Sequence, residues 1–147
     1  SMNTILHERQ LEEYYCTLCY AFFDFKRRVL TMANSGLPYP IRCSGDDCGQ
    51  IVLPGVPLGS FPNISYDEVA IPLQGGDVFV FCTDGIFEAM DEKGAELGAR
   101  PVCEIVRERR TESARNIVDA IFEMVSGFRG HAPQSDDMTA VAVKIAG

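Results

Sequence analysis

The sequence predicts an α+β domain in which helices cover a mainly antiparallel β-sheet. Most of the first half consists of short strand-like segments that follow one another directly. Parallel strands would need long crossover segments between them, so this order favours antiparallel pairing. Two amphipathic helices follow, and one strand-like segment closes the chain. The sequence has neither a regular alternation of strands and helices nor an internal repeat.

The composition and charge exclude several classes of protein. The 147 residues are 46% hydrophobic and 23% charged, as in an ordinary globular protein of one domain. We assign 3–147 to that domain and read 1–2 as either a cloning remnant or a start at Met2. The net charge of −8 argues against nucleic acid as the main partner. We expect a cytoplasmic protein without a membrane segment, because no signal peptide opens the chain and no apolar run approaches the roughly 20 residues that span a bilayer.

The first half is predicted to form one helix and then several strands. Helix-forming residues occupy 3–13, and a loop with three prolines occupies 54–63. Pro38 and Pro40 limit the segment around them to an edge strand at best, because proline donates no hydrogen bond to a sheet. Five segments have the composition of strands, and they are 14–25, 29–34, 37–43, 50–53 and 65–72.

One strand in the second half is predicted to lie in the interior. Val78–Cys82 is apolar on both faces, which is the pattern of a strand that is covered on both sides. Thr83, Asp84 and Gly85 end this strand, and 86–90 is expected to form a short helical turn. We therefore expect Val78–Cys82 in the middle of a layered fold.

Two helices and a last strand complete the prediction. Pro101 opens a helix through Arg110, because proline is tolerated in the first helical turn. Ser113 caps a longer helix, whose apolar stripe is expected to pack on the sheet through Ile117, Ile121 and Val125. A flexible loop is expected at 127–134 and a strand at 138–145.

The six cysteines do not predict a metal site. Cys16 and Cys19 have the spacing of zinc ligands, but on a strand they point to opposite faces. Cys43 and Cys48 flank a predicted hairpin loop at 44–47, an arrangement in which two cysteines could face each other and oxidise. Because no secretion signal is present, we expect the cysteines to stay reduced.

Three aspartates stand where a sheet can present charge to solvent. Asp84 ends the buried strand, and Asp136 and Asp137 directly precede the last strand. Carboxylate oxygens suit hard cations such as Mg²⁺ and Mn²⁺. Spacing alone leaves another interpretation open, in which Asp84 caps the following helical turn and Asp136-Asp137 is an ordinary turn.

Several segments resemble one known family, in the family's order. Residues 76–89 resemble its "GD-apolar strand-TDG-x-x-EA" segment, and 134–139 resemble its closing "SDD-x-T". Residues 15–24 resemble its long central strand, 32–40 its "YANAGHPP" turn, and 56–59 its "G-x-PLG" loop. The family is that of the bacterial metal-dependent serine/threonine phosphatases of the stage-II-sporulation type, within the protein phosphatase 2C superfamily. The resemblance runs from Asn3 to Ile145.

The resemblance implies a fold, a reaction and a site. The fold is a pair of stacked antiparallel sheets flanked by helices, and the reaction is hydrolysis of phosphoserine or phosphothreonine on a partner protein. Two Mn²⁺ or Mg²⁺ ions would be held by aspartates, of which Asp84 and Asp136 match this sequence. Asp137 and Gly85 would support them. The usual partner is an anti-sigma-factor antagonist. A catalytically inactive domain that binds a regulatory partner is the alternative.

The sequence also departs from the family pattern. Leu37 stands where histidine is common, and Phe87 stands where threonine is frequent. The family's N-terminal acidic "GGD" and "GD-x-SGHG" segments are not found before the other motifs, and Gly75-Gly76-Asp77 stands in the wrong order to be the first of them. We therefore expect a domain that lacks its N-terminal segment, an incomplete metal site and poor activity of this chain alone. An uncovered sheet face or edge would favour a homodimer.

Overall fold

The computed structural model describes residues 1–9 and 15–147. In this part of the chain all strand pairs are antiparallel, and the helices lie mostly in the second half, as the sequence predicts. The elements are α1 Met2–Glu8, β1 Leu18–Asp24, β2 Val29–Ser35, β3 Ile41–Ser44, β4 Asp47–Gln50, β5 Glu68–Pro72, β6 Val78–Cys82, α2 Asp84–Phe87, α3 Ala99–Arg109, α4 Ala114–Arg129 and β7 Ala140–Lys144. Residues 10–13 of the predicted first helix and Tyr14 of the predicted first strand lie outside the described residues.

The first of two compact units contains Ser1–Leu37 and Val52–Leu73. Its three strands are ordered β1-β2-β5. The helix α1 is joined to the loop before β5 by Asn3, which is buried. The Asn3 side chain accepts a hydrogen bond from the Gly59 N–H at 2.8 Å and donates one to the Phe61 carbonyl at 3.1 Å. These two bonds fix a loop that has no regular structure of its own.

The second unit contains Pro38–Ile51 and Gln74–Gly147 and is built around β6. Its strands are ordered β4-β3-β6-β7, so β6 has a neighbour on each side. The prediction of a buried interior strand is confirmed, since Phe79 is fully buried. On the other face of β6, Val78 and Val80 belong to the same buried cluster as residues of α3 and α4. The residues of α4 in this cluster are those of the predicted apolar stripe, namely Ile117, Ile121 and Val125.

The structure corrects two strand predictions. β3 is an interior strand between β4 and β6, so the prediction of an edge strand over 37–43 is wrong. The strand begins at Ile41, after both prolines, and its ladder therefore loses no donor. The strand predicted at 50–53 is β4 at Asp47–Gln50. A two-residue turn with Gly45 at φ +60° joins the strands, where the sequence suggested a four-residue loop.

The tighter turn also corrects the expected state of two cysteines. It places Cys43 directly opposite Cys48 in the β3–β4 register, with their Cα atoms 4.1 Å apart. The structure joins them in a disulfide, so the expectation of reduced thiols is wrong for this pair. Cys43 lies within the buried cluster of the second unit.

The helices begin and end for identifiable reasons. Pro101 is the third residue of α3 rather than the first, still within the turn whose N–H groups have no helical partner. The helix α4 continues past Gly127, which was predicted to begin a loop, and ends at Gly130 with φ +55°. Ser113 is its N-cap, and its Oγ accepts a hydrogen bond from the Asn116 N–H at 3.1 Å. No helix in the described ranges is long and apolar enough to cross a bilayer.

The cap of α4 gives a stability prediction. We expect Ser113→Ala to lower the free energy of unfolding by about 1 kcal/mol, because the Asn116 N–H loses its acceptor. The measurement is urea denaturation of the 147-residue chain. Ser113→Asp is the matched control, because aspartate also caps well, and it should retain the wild-type midpoint. An equal loss in both variants would contradict a capping role.

Candidate functional site

The two loops that carry the candidate aspartates meet at one end of the β6–β7 pair. Cys82, the last residue of β6, is paired with Ala140, the first residue of β7. In an antiparallel pair, the segment that follows one strand lies beside the segment that precedes the other. The register therefore brings the loop with Asp84 next to the loop with Asp136 and Asp137, although they are far apart in sequence.

Hydrogen bonds of Thr83 extend this pairing beyond the strands. Its N–H donates to the Thr139 carbonyl at 3.0 Å. Its Oγ1 accepts from the Thr139 N–H at 2.9 Å and lies 3.4 Å from the Asp137 carbonyl oxygen. The two loops are thus joined by main-chain and side-chain bonds.

Gly85 allows the loops to approach closely. It is buried, and a Cβ atom at this position would lie 2.9 Å from the Asp137 carbonyl carbon and 3.3 Å from the Asp136 carbonyl oxygen. Backbone atoms cannot move away as a flexible side chain would, so a larger residue would separate the loops. The sequence pattern identified Gly85 as a turn residue, but this packing reason needs the neighbouring loop.

The carboxylates of Asp84 and Asp136 are exposed to solvent. Oδ1 of Asp84 accepts a hydrogen bond from the Gly85 N–H at 3.0 Å, and Oδ1 of Asp136 accepts one from the Asp137 N–H at 2.7 Å. The N-cap position of α2 is Thr83, so Asp84 is the first residue of the helix rather than its N-cap, although its side chain still accepts a hydrogen bond from an N–H of the first turn. The prediction that the two carboxylates lie within about 4–8 Å of each other stays a prediction.

The donor chemistry of this site fits a hard divalent cation in part. Two exposed carboxylates on adjoining loops are the oxygen ligands that Mg²⁺ and Mn²⁺ prefer. Among residues 1–9 and 15–147, however, no group of three or more histidine, cysteine or acidic side chains is placed to hold a metal. The pair can therefore contribute ligands to a cation but does not surround one.

A buried thiol lies at the end of β6, beside this site. Cys82 ends β6 and is buried. Burial, with a smaller contribution from the nearby Cys103, raises the pKa of the Cys82 thiol to about 12. The thiol is therefore protonated at neutral pH in the metal-free protein.

Comparison with known proteins identifies the family. The family described as Stage II sporulation protein E (SpoIIE) matches residues 1–146. The chain belongs to the SpoIIE family. It is 26% identical to Stage II sporulation protein E of Bacillus subtilis (strain 168) over 145 residues, which are 99% of this chain and 17% of that protein. The SpoIIE match agrees with the resemblance stated from the motifs.

Solved structures confirm the fold. A structure of the PP2C phosphatase domain and a regulatory-domain fragment of B. subtilis SpoIIE matches with a TM-score of 0.82 and 27% identity, over 97% of this chain and 42% of that one. A Mn-presoaked form of the SpoIIE phosphatase domain matches with a TM-score of 0.76 and 25% identity, over 98% and 63%. The RsbU and RsbW domains of Rv1364c from Mycobacterium tuberculosis match with a TM-score of 0.77 and 20% identity, over 97% and 40%. The fold is that of a PP2C-type phosphatase domain.

The SpoIIE-family chain covers only part of these proteins. It spans 17% of the length of the curated relative and between 40% and 63% of the three solved chains. The activity, substrate and partners of a whole protein therefore remain proposals for this chain.

Proposed function

We propose that this chain supplies part of the metal centre of a serine/threonine protein phosphatase. The observation that carries the proposal is the contact between the loop of Asp84 and the loop of Asp136 at one end of the β6–β7 pair. Both carboxylates are exposed there. A phosphorylated side chain on another protein can therefore reach them without rearrangement of the core.

Asp84 and Asp136 would hold Mn²⁺ or Mg²⁺, and Asp137 and Gly85 would support them. Bound divalent ions lower the pKa of a water molecule and neutralise the oxygens of a phosphoryl group. The residues of this chain would fix the position of the cation and leave the site open to solvent and substrate. Asp137 contributes through its main chain, because its N–H bonds Asp136 and its carbonyl adjoins Thr83 and Gly85.

The proposed substrate is a phosphorylated regulatory protein, namely an anti-sigma-factor antagonist in the cytoplasm. The resemblance to the stage-II-sporulation type of phosphatase supports this substrate. The match to a protein that contains both an RsbU and an RsbW domain is also consistent with a regulatory partner. The net charge of −8 gives no support to a nucleic-acid substrate.

A catalytically inactive domain that binds a regulatory partner is the second candidate. It is favoured by the small number of ligands, since no group of three potential ligands is found within the described ranges. An inactive domain is also consistent with two departures from the family pattern, Leu37 in place of histidine and Phe87 in place of threonine.

A phosphatase assay separates the two candidates. We expect the 147-residue chain to hydrolyse p-nitrophenyl phosphate weakly or not at all, even with millimolar Mn²⁺. Two ions carry a charge of +4 and need bridging as well as terminal carboxylates. A fusion of this chain to the phosphatase-domain residues that precede the matched region of B. subtilis SpoIIE should gain activity that EDTA removes.

Two results would contradict the proposal. Full activity of the 147-residue chain would show that the ligands are misplaced. A folded but inactive fusion would favour the catalytically inactive domain that binds a regulatory partner. The matched domain of B. subtilis SpoIIE is the positive control for the assay.

A further inference from the structure

We propose that the hydroxyl of Thr83 is a positioning group that sets the spacing between the carboxylates of Asp84 and Asp136. The inference rests on the proposed function, because it assigns a role within the same site. Thr83 would not touch the cation or the substrate. It would act through the loop that precedes β7.

The Thr83 hydroxyl bonds the segment that joins Asp136 to β7. Its oxygen accepts the Thr139 N–H at 2.9 Å. The carbonyl oxygens of Asp137 and Thr139 lie 3.4 and 3.5 Å away. These two distances exceed the usual range of about 2.5–3.0 Å for an O–H···O hydrogen bond, so the bond accepted from the Thr139 N–H is the one that carries the inference.

The position of these bonds in the chain connects the two carboxylates. Thr83 directly precedes Asp84, and Asp137 directly follows Asp136. A shift of the 137–139 segment relative to Thr83 would therefore change the separation of the two carboxylates. Metal ions tolerate only small errors in ligand spacing, and groups that orient ligands commonly change metal affinity about 10- to 100-fold.

The hydroxyl does not serve as a helix cap. Thr83 is the N-cap residue of α2, where threonine often bonds the first helical N–H groups, but its side chain makes no capping hydrogen bond. The strand pairing does not depend on the hydroxyl either. The Thr83 N–H bonds the Thr139 carbonyl through the main chain and continues the β6–β7 ladder in any variant.

Gly85 complements the hydroxyl on the other side of Asp84. The absence of a Cβ lets the Asp136 and Asp137 carbonyls approach, as described above. The hydroxyl bonds hold the loop at that distance. The residues on each side of Asp84 thus act on the same loop, one by bonding it and the other by leaving space for it.

Three substitutions test this role in the fusion described under the proposed function, whose preceding SpoIIE residues would supply the remaining ligands. Thr83→Val removes both hydrogen-bonding functions and keeps the shape of the side chain, whereas Thr83→Ser keeps the hydroxyl. Asp84→Asn removes a proposed ligand and serves as the reference for the metal site. Mn²⁺ binding is measured by isothermal titration calorimetry, and exchange of the Thr139 amide hydrogen is measured by NMR without metal.

We expect Thr83→Val to weaken Mn²⁺ binding about 10- to 100-fold and Thr83→Ser to change it less than about threefold. The Thr139 amide should exchange faster in Thr83→Val than in the wild type and in Thr83→Ser, because its acceptor is lost. Protection of the β6 and β7 amides shows that the variants are folded. If Thr83→Val does not fold, Thr83→Ala replaces it as a smaller hydroxyl-free variant.

The possible failures are distinguishable. Wild-type Mn²⁺ affinity in a folded Thr83→Val, whatever the exchange of Thr139, overturns the positioning role and leaves the metal site standing. Equal weakening in Thr83→Val and Thr83→Ser also overturns it, because the hydroxyl would then not matter. Unchanged binding in Asp84→Asn, or no Mn²⁺ binding by the wild type, overturns the proposed site and this inference with it.

Discussion

Asp84→Asn should reduce the metal-dependent phosphatase activity of the active SpoIIE-type fusion by about 100- to 1,000-fold. The substitution removes a negative charge from a proposed ligand but keeps its size. Metal-based stabilisation of the transition state is worth several kcal/mol, and about 3–4 kcal/mol corresponds to this loss of rate. Because Asp84 is exposed and its carboxylate bonds only the adjacent Gly85 N–H in the described structure, the fold should remain intact.

The control for this experiment is a second exposed aspartate on the same unit. Asp119 lies on α4, where Arg115 is its ion-pair partner at 3.8 Å. Asp119→Asn makes the same chemical change away from the site and should retain wild-type kcat/KM. Wild-type activity in both Asp84→Asn and Asp119→Asn would show that Asp84 is not a ligand. An equal loss in both would indicate an effect of net charge rather than of the site.

The sequence predicts an element well where one physical signal dominates. Val78–Cys82 has no polar residue to place toward water, and its predicted bounds are those of β6. The end of α4 was missed because Gly127 and Gly130 look alike in sequence. Gly127 lies within the helix, whereas Gly130 adopts the positive φ that ends it. That choice depends on the local conformation rather than on residue type.

Errors in strand position arise from tertiary contacts. Pro38 and Pro40 suggest at best an edge strand over 37–43, and they do not show that β3 begins directly after them at Ile41. Its interior position comes from pairing with β6, which is distant in sequence. The disulfide of Cys43 and Cys48 has the same origin, because it depends on a register that the loop length alone left open.

The candidate site shows the same division between local and tertiary information. Asp84 and Asp136 are visible in the sequence, because carboxylates beside a buried strand and a last strand match a family pattern. The contribution of Thr83 is not visible, because its partners, Asp137 and Thr139, belong to another segment. Motifs therefore indicate which side chains are the candidates, and the β6–β7 register brings the loops that carry them together.

Asp77→Ala should destabilise the second unit more than the removal of any exposed ion pair, by about 3 kcal/mol. The Asp77 side chain is 1% exposed, and its Oδ2 accepts hydrogen bonds from Nη2 of Arg42 at 3.2 Å and from the Gln74 N–H at 3.0 Å. Removal of this carboxylate takes the ion pair from the Arg42 guanidinium and the hydrogen-bond acceptor from the Gln74 N–H. The Arg42 side chain is 28% exposed, and its guanidinium lies 5.9 Å from the Phe79 ring centre. Water and the ring still stabilise the guanidinium charge, so we expect a loss of stability near the lower end of the range for a broken buried ion pair.

Urea denaturation should show this loss for Asp77→Ala and only about 0.5 kcal/mol for Glu104→Ala. Glu104 pairs with Arg100 at 3.0 Å, a similar distance, but the two side chains are 45% and 89% exposed. Water therefore replaces the lost partner of Arg100 at little cost, whereas burial prevents full replacement at Asp77. Asp77→Asn should fall between the two, because the amide oxygen can still accept from the Gln74 N–H while the charge is lost. Equal destabilisation by Asp77→Ala and Glu104→Ala would show that burial of the Arg42–Asp77 pair adds nothing to its contribution.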